Sequence, residues 1–197
     1  RAENQLKDST VTLYRMGEEG VPTVDEFVKD RLKEGGCLGF DGRVVNGTWG
    51  GKLEKIAAEK NVSMHVTEDL IDLIWEDRPA LSKQPLFILE EKYSGKSTAD
   101  KIGDLRKAMK ENGADVHILT SLYDIAWLLN IRGNDIDYVP VVLSYLVLNE
   151  TECIWFLQEE VVDDKIRAYL EENHITTKPY DAVSYTHLRA HETRHDL

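Results

Sequence analysis

The chain has 197 residues, enough for one full domain or for parts of two, and its 42% hydrophobic and 30% charged residues are a globular balance. Its 36 acids against 24 Lys and Arg give a net charge of −12, which argues against nucleic acid and anionic membrane as main partners, because both repel such a surface. No apolar run reaches membrane-span length, no secretory leader opens the chain, and Cys37 and Cys153 lack metal-ligand spacing, so two reduced thiols in a cytoplasmic protein are expected.

Arg1 to Leu6 has no initiator Met and reads as the last turn of a helix. Val11-Thr12-Leu13-Tyr14-Arg15-Met16 is β-rich and ends at Gly17, which predicts a strand. Thr23 with Glu26 three residues on is a capping box; Val24, Phe27, Val28 and Leu32 follow at helical spacing, with Gly35-Gly36 as the stop. Cys37 to Phe40 predicts a short strand before an Asp41-Gly42 turn. Gly47-Thr48-Trp49-Gly50-Gly51 reads as a turn before a helix over 52–60, since it lacks the spacing of a dinucleotide fingerprint. Val62 to Val66 predicts a strand, and Leu70, Leu73 and Ile74 an amphipathic helix closed by Pro79.

After Pro79 the pattern restarts. Pro85 to Leu89 predicts a strand, and Ser97 with Asp100 caps a helix lined by Ile102, Leu105 and Met109, ended by Asn112-Gly113. Val116 to Leu119 predicts a buried strand and Asp124 to Asn130 a short apolar helix. Two long strands, Val139 to Leu148 and Cys153 to Leu157, are separated only by Asn149-Glu150-Thr151-Glu152 and should pair as a hairpin. Val162, Ile166, Tyr169 and Leu170 mark a last helix, and Ile175 to Tyr180 a last strand. Strands alternating with helices predict an α/β fold, and the hairpin makes its sheets mixed. Two modules meet near Asp77 to Pro79, each short for a whole domain of this kind.

The closing segment, residues 184–197, carries three of the six histidines, His187, His191 and His195, at i, i+4 and i+8. On a helix they would share a face, as metal ligands do. The segment has no apolar stripe and is similar to translated sequencing adapter, so a non-native tail is expected. Its two Arg balance one Glu and one Asp, leaving the whole −12 on residues 1–183.

Chemical motifs are few. Ser94-Gly95-Lys96-Ser97-Thr98 lacks the earlier glycine of a phosphate loop; Glu90 stands there and would repel phosphate. Asn46, Asn61 and Asn149 open glycosylation sequons, which mean nothing without secretion. His65, His117 and His174 are not paired at ligand spacing, and the acids look like solvated faces. The most unusual stretch is Tyr123 to Tyr145, where an apolar helix runs into Ile131-Arg132-Gly133-Asn134-Asp135 before a long apolar strand. A polar loop between buried elements is a common place for binding residues; a plain helix cap and turn is the alternative, and chemistry alone leaves both open.

That stretch resembles the second domain of three-domain Xaa-Pro aminopeptidases, in the creatinase/prolidase superfamily. Asp124 to Gly133, Asp135-Ile136, Pro140-Val141 and Ser144-Tyr145 carry the resemblance. Glu68 to Trp75 with Asp77-Arg78-Pro79 is similar to the junction between the family's first two domains, and Lys101 to Arg106 to the opening helix of its second. Val139 departs from the family, which often has Asn before the proline. The resemblance implies that residues 1–78 are the back of a first creatinase-N-like domain and 79–183 the front of a second, with the catalytic third domain beyond.

For the full-length enzyme the resemblance implies hydrolysis of the bond between an N-terminal residue and a following proline. Two manganese ions in the third domain would activate the nucleophile there. Its implied partners are its own catalytic domain, an X-Pro peptide and a second copy in a homodimer, with neither nucleic acid nor membrane. The fragment itself should hold no catalytic residue, metal or cofactor. Arg132 and Gly133 resemble a cleft-facing loop and are the candidate substrate-binding residues. A catalytically dead, peptidase-like binding module is the alternative, because fold alone does not give function.

Overall fold

The computed structural model describes residues 1–183; the proposed tail, with His187, His191 and His195, lies outside the described residues. The chain divides between Arg78 and Pro79 into two compact units.

The first unit runs α1 (Ala2–Gln5), α2 (Val24–Arg31), β1 (Cys37–Gly39), α3 (Gly47–Glu59) and β2 (Ser63–His65). β1 and β2 pair in parallel, from Cys37↔Ser63 to Gly39↔His65. Parallel neighbours need a crossover, which α3 supplies. α2 starts where the capping box places it: Glu26 N donates to Thr23 Oγ1 at 3.3 Å, and Thr23 N to Glu26 Oε2 at 2.8 Å. Asn46 caps α3 by accepting from Trp49 N at 2.9 Å. Leu53, Ala57 and Val62 are the buried apolar residues of this unit among the described residues.

Four expectations fail here, for related reasons. Val11 to Met16 forms no strand, because no described segment pairs with it; Val11 and Met16 are 60% and 69% exposed. α2 stops at Arg31, and the glycine pair serves as a turn after it, with Gly35 at φ 72. The glycine-rich 47–51 stretch is the first turn of α3 rather than a turn before it, since the Asn46 cap starts the helix there. Residues 70–75 make only turns, with Ile71 N bonded to Asp69 Oδ1 at 3.0 Å and Ile71, Leu73 and Ile74 exposed. A short helix needs a surface to bury its stripe, and of this one Leu70 lies beside Gly39 while Leu73 and Ile74 stay exposed.

The second unit contains β3 (Phe87–Ile88), α4 (Glu91–Ser94), α5 (Thr98–Glu111), β4 (Val116–Leu119), α6 (Leu122–Leu129), β5 (Ile131–Arg132), β6 (Tyr145–Asn149), β7 (Cys153–Leu157), a 3-10 turn (Glu159–Val161), α7 (Asp164–Glu172) and β8 (Thr176–Pro179). Its main sheet has the order β4-β6-β7-β8, antiparallel except for the parallel β7–β8 pair. The mixed α/β fold is therefore the one expected. One face of the sheet, with Leu146, Leu148, Trp155 and Leu157, packs on Ile102, Ile125, Leu128, Leu129, Ile166 and Leu170 of α5, α6 and α7. The other face gathers Val147, Ile154 and Phe156 against Tyr145, Ala182 and Val183. This alternation follows from side chains pointing to opposite faces every second residue.

The predicted hairpin is present, pairing Leu148 with Cys153; Asn149 Oδ1 accepts from Thr151 N at 2.9 Å and Glu152 N at 2.6 Å. Ser97 caps α5 through Asp100 N at 3.1 Å. Three details differ. β4 is an edge strand, with Val116 and Ile118 half-exposed rather than buried. The long strand expected from Val139 begins only at Tyr145, because Pro140 has no N–H to pair and Asp135 Oδ2 takes the Leu143 N–H at 2.8 Å. β5 was not expected; it pairs antiparallel with β3, Phe87 opposite Arg132. Both cysteines are free, and burial pushes the Cys153 thiol up to about 12, so it stays protonated at neutral pH.

Candidate functional site

The stretch with the strongest site signal folds as the end of α6, the turn at Asn130, and β5. α6 is apolar on its buried face, with Ile125, Ala126, Leu128 and Leu129 inward, and Ser121 caps its start. Its C-terminus lies inside the unit. A helix end leaves carbonyl oxygens without intrahelical donors, and buried ones must find partners elsewhere.

Side chains from three elements supply them. Arg132 Nη1 donates to Ala126 O and, at 3.1 Å, to Ile131 O. Lys101 Nζ, from α5, donates to Trp127 O at 2.7 Å. Tyr169 OH, from α7, donates to Leu129 O at 3.1 Å and meets Thr98 Oγ1 at 2.7 Å. Two cations therefore stand at the negative end of the α6 dipole, where they are favoured. Asn130 ends the helix at φ 51, ψ 29, a left-handed conformation that Asn tolerates better than most residues.

Arg132 is half-buried, and burial pushes its guanidinium pKa down. No carboxylate is bonded to it among the described residues, and its Nε and Nη2 donate to none of them. Those donors retain the fork geometry that fits a carboxylate. Gly133 packs closely: a Cβ there would lie 2.8 Å from Val142 Cγ2 and 3.0 Å from Val141 O. The backbone at Gly133 thus lies close against the chain's own 141–142 segment. Arg132 and Gly133 are adjacent in space as in sequence, and half-exposed Trp127 and exposed Tyr123 stand on the outer side of α6.

Three functional-looking residues escape pattern reading: Lys101, Asn130 and Tyr169. Lys101 had a signal, for it falls in the apolar stripe that Ile102, Leu105 and Met109 define on α5, where a lysine is out of place. Tyr169 had none; its role depends on a contact across forty positions of chain.

Nothing among the described residues of the unit resembles an activated nucleophile. The buried Ser144 hydroxyl donates to Val142 O at 3.1 Å, and no base among the described residues is hydrogen-bonded to it. Among the described residues no three of His, Cys, Asp or Glu gather where they could hold a metal ion, so a dinuclear centre finds no fitting donor set there. No helix of the described residues is long and apolar enough to cross a membrane.

The chain is similar to known proteins along most of its length. The chain is 37% identical over 192 residues to a probable Xaa-Pro aminopeptidase P of Laccaria bicolor, covering 96% of this chain and 29% of that one. It is 35% identical over 186 residues to aminopeptidase P1 of Lotus japonicus, covering 94% and 28%. A crystal structure of X-prolyl aminopeptidase from Caenorhabditis elegans, described as a cytosolic enzyme with a di-nuclear active site, superimposes with a TM-score of 0.78 at 32% identity, over 92% of this chain and 30% of that one. The chain thus spans about 30% of the length of the curated relatives it matches. Residues 77–196 match the creatinase/prolidase N-terminal domain, and with more than half of its length inside that match the chain belongs to the creatinase/prolidase N-terminal domain family.

Proposed function

We propose that the chain is the non-catalytic amino-terminal portion of a metal-dependent Xaa-Pro aminopeptidase, which releases the N-terminal residue preceding proline from peptides. The observation that carries this reading is similarity along more than nine-tenths of the chain to proteins named for that activity. In this reading residues 1–78 are the back of a first creatinase-N-like domain and 79–183 the front of a second. The X-Pro amide is tertiary, lacks an N–H and is conformationally restricted, so a dedicated peptidase for it makes chemical sense. The metal pair, read as manganese, belongs to the catalytic domain. A cytoplasmic setting follows the cytosolic worm enzyme. The partners are the enzyme's own catalytic domain, the X-Pro peptide and a second copy in a homodimer.

Arg132 is the residue this portion offers to the substrate. Its Nη1 is spent on Ala126 O and Ile131 O, which fixes the guanidinium, while Nε and Nη2 remain for a peptide carboxylate or a cleft acid. Gly133 lets the following backbone pack against Val141 and Val142, holding Arg132 at the surface of the unit. In the complete enzyme Arg132→Ala should lower kcat/KM on an X-Pro peptide about 10- to 100-fold, the range for one hydrogen bond to a charged group. An unchanged kcat/KM would leave Arg132 as a brace for α6 alone. The 197-residue chain with manganese should not turn over the peptide, and real turnover would overturn the reading. A complete protein that binds X-Pro peptides without cleaving them would favour the catalytically dead binding module instead.

A further inference from the structure

Beneath the α6–β5 turn lies a second cation, Lys101, only 1% exposed and with no carboxylate bonded to it among the described residues. Burying an ammonium without a counter-ion is costly, and burial, with Arg132 and Lys96 nearby, pushes its pKa down. Lys96 does not share that position, because its ammonium is paired with Asp104. A methionine would fill the same volume without the cost, so the charge must act on the groups it touches.

Those groups lie in one four-residue stretch. Lys101 Nζ donates to Trp127 O at 2.7 Å and to Asn130 Oδ1 at 2.6 Å, and it sits 4.4 Å from the centre of the Trp127 ring. Asn130 is tied on its other sides as well. Its Nδ2 donates to Lys96 O at 2.9 Å, and its carbonyl accepts from Leu89 N at 2.7 Å, just beyond β3. The amide orientation is chemically determined, since an ammonium can only donate and a carbonyl can only accept. The residue that turns the chain from α6 into β5 is thus anchored to α5 through Lys101 and alongside β3 through its backbone.

We infer that Lys101 is a positioning residue: its buried ammonium holds the α6 C-terminal turn and the left-handed Asn130, and so sets the register in which Arg132 enters β5. The consequence for catalysis rests on the substrate-facing role proposed for Arg132; the hold on the turn does not.

The test compares Lys101→Met, Lys101→Arg, Asn130→Gly and Arg132→Ala in the complete enzyme, by amide hydrogen exchange and by kcat/KM on an X-Pro peptide. Lys101→Met should speed exchange at Leu129–Arg132 about tenfold or more relative to β7, and lower kcat/KM to a similar degree. Lys101→Arg, which keeps the charge, should recover part of both effects. Asn130→Gly keeps the left-handed backbone but removes Oδ1, and should speed exchange at the same residues by less. It carries the test if Lys101→Met does not fold. Exchange at Leu129–Arg132 no faster than the wild type overturns the inference. If Arg132→Ala leaves kcat/KM unchanged while Lys101→Met accelerates exchange, the substrate role of Arg132 falls and the hold of Lys101 on the turn stands.

Discussion

The unit formed by residues 1–78 and the unit beginning at Pro79 are held by different forces. In the first, burial is confined to Leu53, Ala57 and Val62, while Met16, Val44 and Ile74 remain 69%, 79% and 76% exposed. Its specific ties lie at the surface: the Thr23–Glu26 box, Lys29 with Glu59, and Arg78 with Asp69 and Asp72. In the second, both faces of the main sheet are covered by apolar side chains over Leu146, Leu148, Trp155, Phe156 and Leu157. A buried large apolar side chain contributes roughly 1.5–3 kcal/mol, an exposed ion pair about 0–1 kcal/mol. The second unit should therefore be the stable body, and the first should open earlier.

The largest effect that could break this comparison is Leu146→Ala, at a fully buried position of β6. It should cost the second unit about 2–5 kcal/mol, read from its urea midpoint. Leu53→Ala should fall at the low end of that range, because fewer buried neighbours surround it; an equal or larger loss would refute the contrast.

Next comes Gly133→Ala. Its added methyl meets Val142 Cγ2 and Val141 O, so a loss of about 1–3 kcal/mol is expected in the second unit's melt. No loss would mean that the 141–142 segment gives way easily, and that Gly133 does not fix the Arg132 turn. Thr23→Ala removes one capping box from α2 and should cost about 1 kcal/mol, seen as faster amide exchange across Val24–Arg31. Ser97→Ala removes a comparable cap from α5, but its effect on exchange there should be damped by the core that α5 helps build.

The smallest expected effect is that of acid. Thr23 hydrogen bonds hold the Glu26 carboxyl below its ordinary range, and Arg43, Lys29 and Arg78 do the same for Asp41, Glu59 and Asp69. In the second unit Lys83 does so for Glu160. Each of these groups binds its proton less tightly folded than unfolded. Their contribution is complete above the ordinary carboxylate range and is lost as pH falls through the lowered values. Glu26, Glu59 and Glu160 are exposed, and Asp41 and Asp69, 11% and 12% exposed, pair with half-exposed Arg43 and Arg78, so each effect is small, but four of the five lie in residues 1–78. That unit should loosen first on acidification, which amide exchange as a function of pH would show.

Local features of the fold were legible in the sequence where neighbours along the chain decide them. The Thr23–Glu26 box, the Ser97 cap, the Asn149–Glu152 hairpin and the apolar stripes of α5 and α6 form as their spacing requires. Features that need a distant partner were not. Val11 to Met16 has strand composition without a partner strand among the described residues, and 70–75 has a helical stripe of which Leu73 and Ile74 stay exposed. β5 runs the other way: two residues of unremarkable composition become a strand because β3 lies beside them.

The candidate site divides along the same line. The residue types in Tyr123 to Tyr145 marked a polar turn between apolar segments, which is readable in one dimension, and only the family resemblance narrowed it to Arg132 and Gly133. Only the tertiary structure brought Lys101 and Tyr169 to the end of α6, across 26 and 40 positions of chain. The physical reason is that local spacing dictates where a helix starts and which face is apolar, whereas the orphaned carbonyls at its buried end take whatever donors the packing of other elements delivers.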